Sequence, residues 1–271
     1  MALNYLIAFF YGSGLAVALT ACGTCLLLER LKPVERSQPR YNLSLNIAYM
    51  CCAGLARFAA APIAASVTIV TVNKLVGGLI VLPASGWGLL WALPLFVLAV
   101  DLTEYGFHRA QHAWPILWAM HSLHHSDPSF NVTTTERHFW LEPALKAVPY
   151  SVVGLLLEPS AMMLLVNFVL GLWNYIAHLN VRISLGRFAV IVNSPQYHRI
   201  HHAANPAYQN RNFAALFPVW DLLFRAMYLP NENEYPATGL DTQEVPSGLL
   251  EALAWPWRRR LRALRGAAVS G

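Results

Sequence analysis

The sequence predicts an all-α fold: an integral membrane helical bundle of about four spans, the last a broken half-span hairpin, with a cytosolic helical cap that carries a histidine-rich dimetal site. Three observations predict it. Hydrophobic residues make up 56% of the chain and charged residues only 12%, with a mean hydropathy of +0.41, whereas a soluble domain carries about 25% charged residues. Four apolar stretches are long enough to enter a bilayer, for which a helix needs about 20 residues. All ten histidines fall between positions 108 and 202 of a 271-residue chain.

The first stretch runs from Tyr5 to Leu28 without a charge. It is too long, and lacks the basic flank, for a cleaved signal peptide, so it reads as a span. The second, 43 to 72, is apolar but for Arg57, and the third, 75 to 100, is apolar throughout, with Lys74 at the turn between them. These two form a membrane hairpin. Basic loops favour the cytoplasm, so the loop holding Arg30, Lys32, Arg36 and Arg40 is assigned there, and the third helix ends on the cytosolic side at Asp101. The fourth stretch, 143 to 177, is interrupted at Glu158-Pro159. Proline breaks the helical ladder and a charge is costly in hydrocarbon, so two half-spans that enter and leave on one face fit better than a single helix.

No Ser/Gly-rich linker, repeat or low-complexity tract divides the chain. One domain is expected over 1–271: 1–100 mainly transmembrane, 101–142 and 178–230 as the cytosolic histidine region, 143–177 as the membrane hairpin, and 231–271 as a C-terminal tail. Cys22, Cys25, Cys51 and Cys52 lie within apolar runs and read as packing residues rather than a disulfide or metal set. The net charge of +5 comes from basic residues beside apolar segments, as in LERLKPVERSQPR and WRRRLRALR. That pattern fits an anionic lipid surface better than nucleic acid, so no nucleic-acid partner is expected. The sequons at Asn42 and Asn131 fall on or near the cytosolic side and read as chance matches.

The histidines come as HRAQH (His108, His112), HSLHH (His121, His124, His125), the single residues His138 and His178, and HRIHH (His198, His201, His202). On a helix, positions i, i+3 and i+4 share a face. Under the topology above, all ten reach the cytosolic boundary. Crowded imidazoles would repel one another once protonated and are costly to bury unpaired, so a metal that holds them neutral is the economical explanation. Ten nitrogens exceed what one ion accepts, which implies two. Imidazole alone does not choose among iron, zinc, copper and nickel. A histidine-rich metal transporter, or a catalytically inactive protein holding zinc, is the alternative reading. A transporter, however, would place ionisable ligands within its spans.

The ordered elements HRAQH, PILWAMHSLHHSD, TTTERHFWLE, SPQYHRIHH and WDLLF, spread over residues 95 to 228, resemble the membrane-bound fatty acid hydroxylase and sterol desaturase superfamily. The resemblance implies a non-haem di-iron centre that uses O2 to hydroxylate or desaturate an apolar lipid, a fatty acyl lipid or sterol, with zinc able to replace iron in purified protein. It implies His108, His112, His121, His124, His125, His198, His201 and His202 as catalytic metal ligands, with His138 in the Arg-His element and His178 before the last box as further ligands. It also implies an external electron donor (a cytochrome, ferredoxin or reductase) and residence in a bacterial inner membrane or the endoplasmic reticulum. The chain departs from the family pattern at Phe139, where many relatives have proline, and in NRNFAALFPVWD, which replaces an Asn-Tyr-Gly stretch after the last box.

Around the boxes, Asp101, Glu104, Asp127, Glu136 and Glu142 are candidate partners for the second ring nitrogens, with Glu104, one turn before His108, the first choice. Phe130, Phe139, Trp140 and Trp173 are candidates to line a lipid path. The basic tail from Arg258 to Arg265 reads first as an attachment to anionic lipid and second as a dock for an acidic electron carrier.

Overall fold

Among the described residues, most of the apolar sequence is helix. The computed structural model describes residues 14–55, 79–83, 85–158 and 160–269. Helix α1 spans Gly14–Glu29, α2 is described over 40–55, α3 spans Leu89–Ala113 and α4 Pro115–His125. After these come α5 (Glu142–Leu156), α6 (Ser160–Ala177), α7 (Pro195–His201), α8 (Val219–Leu223), α9 (Leu249–Leu253) and α10 (Trp255–Val269). Strand structure among the described residues is confined to Ile80–Val81, paired in parallel with Leu157–Glu158. The chain therefore leaves its helical path at Leu157–Glu158, where the Glu158-Pro159 pair was expected to break it.

Among the described residues, one helical stretch, Gly86–Ala113, is long and apolar enough to cross a membrane. It is displaced from the span expected over 75–100: among the described residues of that stretch, Ile80–Val81 is strand, and helical structure begins only at Gly86 and runs on to Ala113. The helix carries on through Asp101 and Glu104 and delivers His108 and His112 on its last turns. The parts of the expected spans at 5–13 and 56–78, with Arg57 and Lys74, lie outside the described residues.

Three apolar clusters hold the bundle. One packs Phe96 and Val100 of α3 against Val153 of α5 and Val166 and Leu170 of α6. Another joins Cys22 and Cys25 of α1 to Met50, Val132 and Tyr175. Both cysteines are buried and free, as packing residues should be. The third sets Leu123 and Met120 of α4 against Phe139, Ala252 and Trp255, so the C-terminal helices close over the histidine segment.

Buried carboxylates tie loops to these helices. Glu29, at the end of α1, accepts the backbone N–H groups of Val132 at 2.8 Å and Asn180 at 2.9 Å. Asp101 accepts from Leu216 N, Phe217 N and the Trp220 indole at 2.8–3.1 Å. Asp221 accepts from Phe213 N, Ala214 N and the Tyr197 hydroxyl, each at 2.9 Å. A buried backbone N–H without a partner costs about 1–3 kcal/mol, so each carboxylate fixes the path of a loop. The basic loop after α1 packs on the segment after α6, with Arg182 N bonded to Lys32 O at 2.7 Å and Glu35 N to Asn180 Oδ1 at 3.0 Å, and Glu35 pairs with Arg199 of α7. That loop and the histidine segments thus lie on one side of the bundle.

Candidate metal centre

The end of α3 presents His108 and His112 one turn apart, and α4 presents His121, His124 and His125 on one face. Pro115 at the first turn of α4 sets its start. His138 follows a short 3-10 turn, Val132–Glu136, capped by Asn131. His178 stands just past the end of α6, and Ser194 caps α7, which carries His198 and His201 and ends at His202.

Nine of the ten rings gather into two groups. In the first, the ligand atoms of His108, His112, His121, His125 and His201 all lie within 4.8 Å of one another; in the second, those of His124, His178, His198 and His202 do. His138 belongs to neither. It stacks on His124 with ring centroids 4.0 Å apart, and forms a third cluster with His121 and Glu142.

The ring nitrogens divide their roles in a consistent way. His108 Nδ1 is 2.8 Å from Phe213 O, His201 Nδ1 is 2.8 Å from Arg211 O, His124 Nδ1 is 3.1 Å from Thr134 O, and His178 Nδ1 is 2.7 Å from Asn174 O. A carbonyl only accepts, so each Nδ1 carries the proton and each Nε2 is left with a bare lone pair. In the first group all five Nε2 atoms are buried without a hydrogen-bond partner. In the second, His178 Nε2 lies 3.1 Å from His124 Nε2 and 3.2 Å from His198 Nε2. Since His124 and His178 each donate their one N–H, at Nδ1, to a carbonyl, that first contact is lone pair against lone pair. Imidazole nitrogens that share an ion at about 2.0–2.1 Å stand roughly 3.0–3.4 Å apart, so a cation resolves both the orphaned atoms and the contact.

Burial lowers the pKa of His124, His125, His198 and His202 well below the ordinary value, with neighbouring imidazoles adding to it, and lowers that of His201 to about 3. The rings are therefore neutral near pH 7, which is the state that binds metal.

Glu142, not Glu104, is the carboxylate at the rings. Its Oε2 is 3.3 Å from His121 Nδ1 and 3.0 Å from His138 Nδ1, and Gln111 donates to it at 2.6 Å. Burial pushes the Glu142 carboxyl up, but His138 and the hydrogen bonds from His121 and His138 outweigh it and hold the group below the usual range. Glu104 faces away, paired with Lys146 at 2.6 Å and bonded to the Tyr150 hydroxyl. Asp127 holds Asn46 at 2.7 Å, Thr134 at 2.8 Å and Arg137 at 3.4 Å. Glu136 binds the Tyr175 hydroxyl. Glu142 had a signal in the sequence, four residues after His138 at the start of a helix, whereas a carbonyl such as Phe213 O or Arg211 O has none.

Aromatic rings seal the centre. Phe130 stacks on His178 at 5.2 Å, Phe213 packs edge-on to His108 and His112, and Trp118 lies 4.9 Å from His112 and 5.5 Å from His125. Trp140 and Trp173 are tied by their indoles to Leu253 O and Asn193 O. The departure from the family pattern after the last box also has a structural role. Asn210 and Asn212 both take left-handed backbone, φ +58° each, on either side of Arg211, whose carbonyl holds His201. Asparagine tolerates that conformation better than most residues.

The model of the fatty acid hydroxylase family matches residues 93–226, which contain all ten histidines. The chain is 35% identical over 138 residues to alkylglycerol monooxygenase of Danio rerio, covering 51% of this chain and 31% of that protein. It is 33% identical to the Homo sapiens alkylglycerol monooxygenase over 54% of this chain and 33% of the relative. It is 30% identical to the ornithine lipid hydroxylase of Rhizobium tropici over 61% of this chain and 51% of the relative. The aligned region thus spans about a third of the two monooxygenases and half of the lipid hydroxylase. No solved structure matches the chain. With a helical fold, clustered histidines, a family model over the segment that carries them and lipid-modifying relatives, the chain belongs to the membrane-bound fatty acid hydroxylase and sterol desaturase superfamily.

Proposed function

We propose that the chain is an oxygen-dependent non-haem di-iron monooxygenase that hydroxylates, or desaturates, an apolar lipid. The observation that carries this reading is the pair of inward-turned imidazole groups, five and four rings, with their Nε2 lone pairs unpartnered or pressed against each other. An all-imidazole donor set suits iron as well as zinc; the non-haem di-iron centre that the superfamily resemblance implies favours iron, and the relatives named as a monooxygenase and a lipid hydroxylase fit an oxygenase. Bound there, two irons supply the dioxygen activation that an unreactive C–H bond requires.

The protein's own residues do the rest. His108, His112, His121, His125 and His201 bind one ion and His124, His178, His198 and His202 the other, with His138 a further ligand or a proton-holding neighbour through Glu142. Carbonyls of Thr134, Asn174, Arg211 and Phe213 fix the rings so that they need not reorganise on binding. Phe130, Phe213 and Trp118 keep water from the centre.

Within this reading the chain is one domain embedded in a membrane by about four spans, with the centre facing the cytoplasm of a bacterial inner membrane or the endoplasmic reticulum. Two features support that placement: the histidines at the end of Gly86–Ala113, and the basic loop 30–40 on their side. Electrons come from a separate cytochrome, ferredoxin or reductase. Metal analysis of the detergent-purified protein, followed by oxygen uptake under reducing conditions with candidate lipids, tests the proposal. About two irons per chain and oxygen consumption matched by hydroxylated lipid are expected. A protein that takes up no iron, or that consumes no oxygen with any lipid, overturns it in favour of a transport or zinc-holding role.

A further inference from the structure

Outside the histidine groups, a groove of about 500 Å³ runs between α4, residues 139–141 and the start of α10. Its floor is Trp118, Met120 and Phe139; Trp257 forms one wall, and Arg259 and Arg260 stand at the rim. The volume falls in the roughly 300–1,000 Å³ range of small-molecule sites.

Three features say what fits there. The floor is one ring from the first histidine group, because Trp118 touches both His112 and His125 of that group. The mouth is rimmed by apolar residues turned outward, Ile116 at 78% exposure and Trp257 at 53%, so an occupant can enter sideways from a bilayer. The rim is cationic. Arg259 is shared between Glu244, at 3.0 Å, and the face of Trp118, at 5.9 Å, while Arg260 is exposed and makes no ion pair among the described residues. An apolar trough that ends in guanidinium groups matches an amphiphile with a negative head, since guanidinium pairs with phosphate and carboxylate in two-pronged fashion.

We infer that this groove seats the lipid substrate of the proposed oxygenase and selects for an anionic headgroup: the head rests on Arg260 and Arg259, and the chain lies over Phe139 and Met120 toward Trp118. The inference rests on the lipid-oxygenase reading for the word substrate, yet its residues on α10 lie outside the matched domain, 93–226. It also gives Phe139, at which the chain departs from the family pattern, a place in the groove lining.

The test is tryptophan quenching in the full-length, metal-loaded protein in detergent micelles, titrated with brominated phosphatidylglycerol or brominated phosphatidylcholine. Oxygen uptake is recorded on the same samples. The anionic lipid is expected to quench at a mole fraction about fivefold lower than the neutral one, and Arg260→Gln to bring the two curves together. Trp257→Phe should reduce the amplitude of the selective phase. Because Arg260 is exposed, its replacement leaves the fold intact, which the unchanged metal content verifies. Coincident curves for the two lipids, or a selective curve that neither Arg260→Gln nor Arg259→Gln moves, overturn the groove. Both outcomes are read whether or not oxygen is consumed, so failure of the oxygenase reading is seen separately.

Discussion

At the scale of single residues, the two groups make distinguishable demands. His201 belongs to the first and His124 to the second, and each is held by one carbonyl. Under the proposed function, replacing either with alanine should remove one ion and lower lipid hydroxylation by at least about 100-fold, while circular dichroism stays helical, since that activity needs both ions. Full activity in either variant would show that the ring is not a ligand. Glu142→Gln tests the outer partner. It keeps the size and one acceptor oxygen, but removes the charge that faces His121 and His138, so metal affinity in a competition with a chelator should drop about 10- to 100-fold. An unchanged affinity would return Glu142 to a packing role. The histidine types and spacings were legible because clustered imidazole is rare and chemically distinctive. The choice between Glu104 and Glu142 was not, because helical spacing gives proximity to His108 along the chain but says nothing of Lys146 and Tyr150, which claim Glu104 from another helix.

At the scale of elements, helix periodicity and proline carried the reading. The break at Leu157–Glu158 follows from local chemistry, whereas the first histidine box, expected just past the third helix, sits inside α3, which runs on to Ala113. The loop that follows α7 is different, because its work is done by backbone. Asn212 holds a left-handed φ, and its side chain bonds Tyr197 O at 3.1 Å, Tyr228 O at 2.9 Å and Tyr228 N at 2.7 Å. Alanine there loses these bonds and strains the backbone by about 1–2 kcal/mol, to which unsatisfied buried groups add about 1–3 kcal/mol. Asn212→Ala should therefore lower the thermal midpoint and weaken metal binding together, because Arg211 O no longer meets His201. Thermal unfolding with a metal titration on the same variant checks the coupling, and a fall in stability with metal affinity intact would contradict it. No side-chain pattern announced this device, since the ligand-orienting atom is a carbonyl that any residue possesses.

At the scale of the whole molecule, the sequence made two ions plausible but did not show that nine of the ten rings divide five and four, with His138 in neither group. That division depends on the packing of α3, α4, α6 and α7, whose histidines are as far apart in the chain as His108 and His202. The same packing brings bare lone pairs to 3.1 Å in the second group and leaves five buried nitrogens unpartnered in the first. Without cations these lone pairs oppose one another; under the proposed function an ion in each group would offset that repulsion and link the segments that carry its rings. A ligand that binds only the folded state stabilises it in proportion to the logarithm of its excess, about 2.7 kcal/mol at 100 times its Kd. For a chain of this length that corresponds to a midpoint rise of roughly 5–10 °C. Stripping the purified protein with a chelator should lower its melting temperature by that order, and restoring iron or zinc should raise it in a concentration-dependent way. His138→Ala, whose ring lies in neither group, should keep most of that shift, while His124→Ala should lose much of it. If the stripped and loaded proteins melt together, the imidazoles are packed for reasons other than metal, and the two-ion reading fails at its foundation.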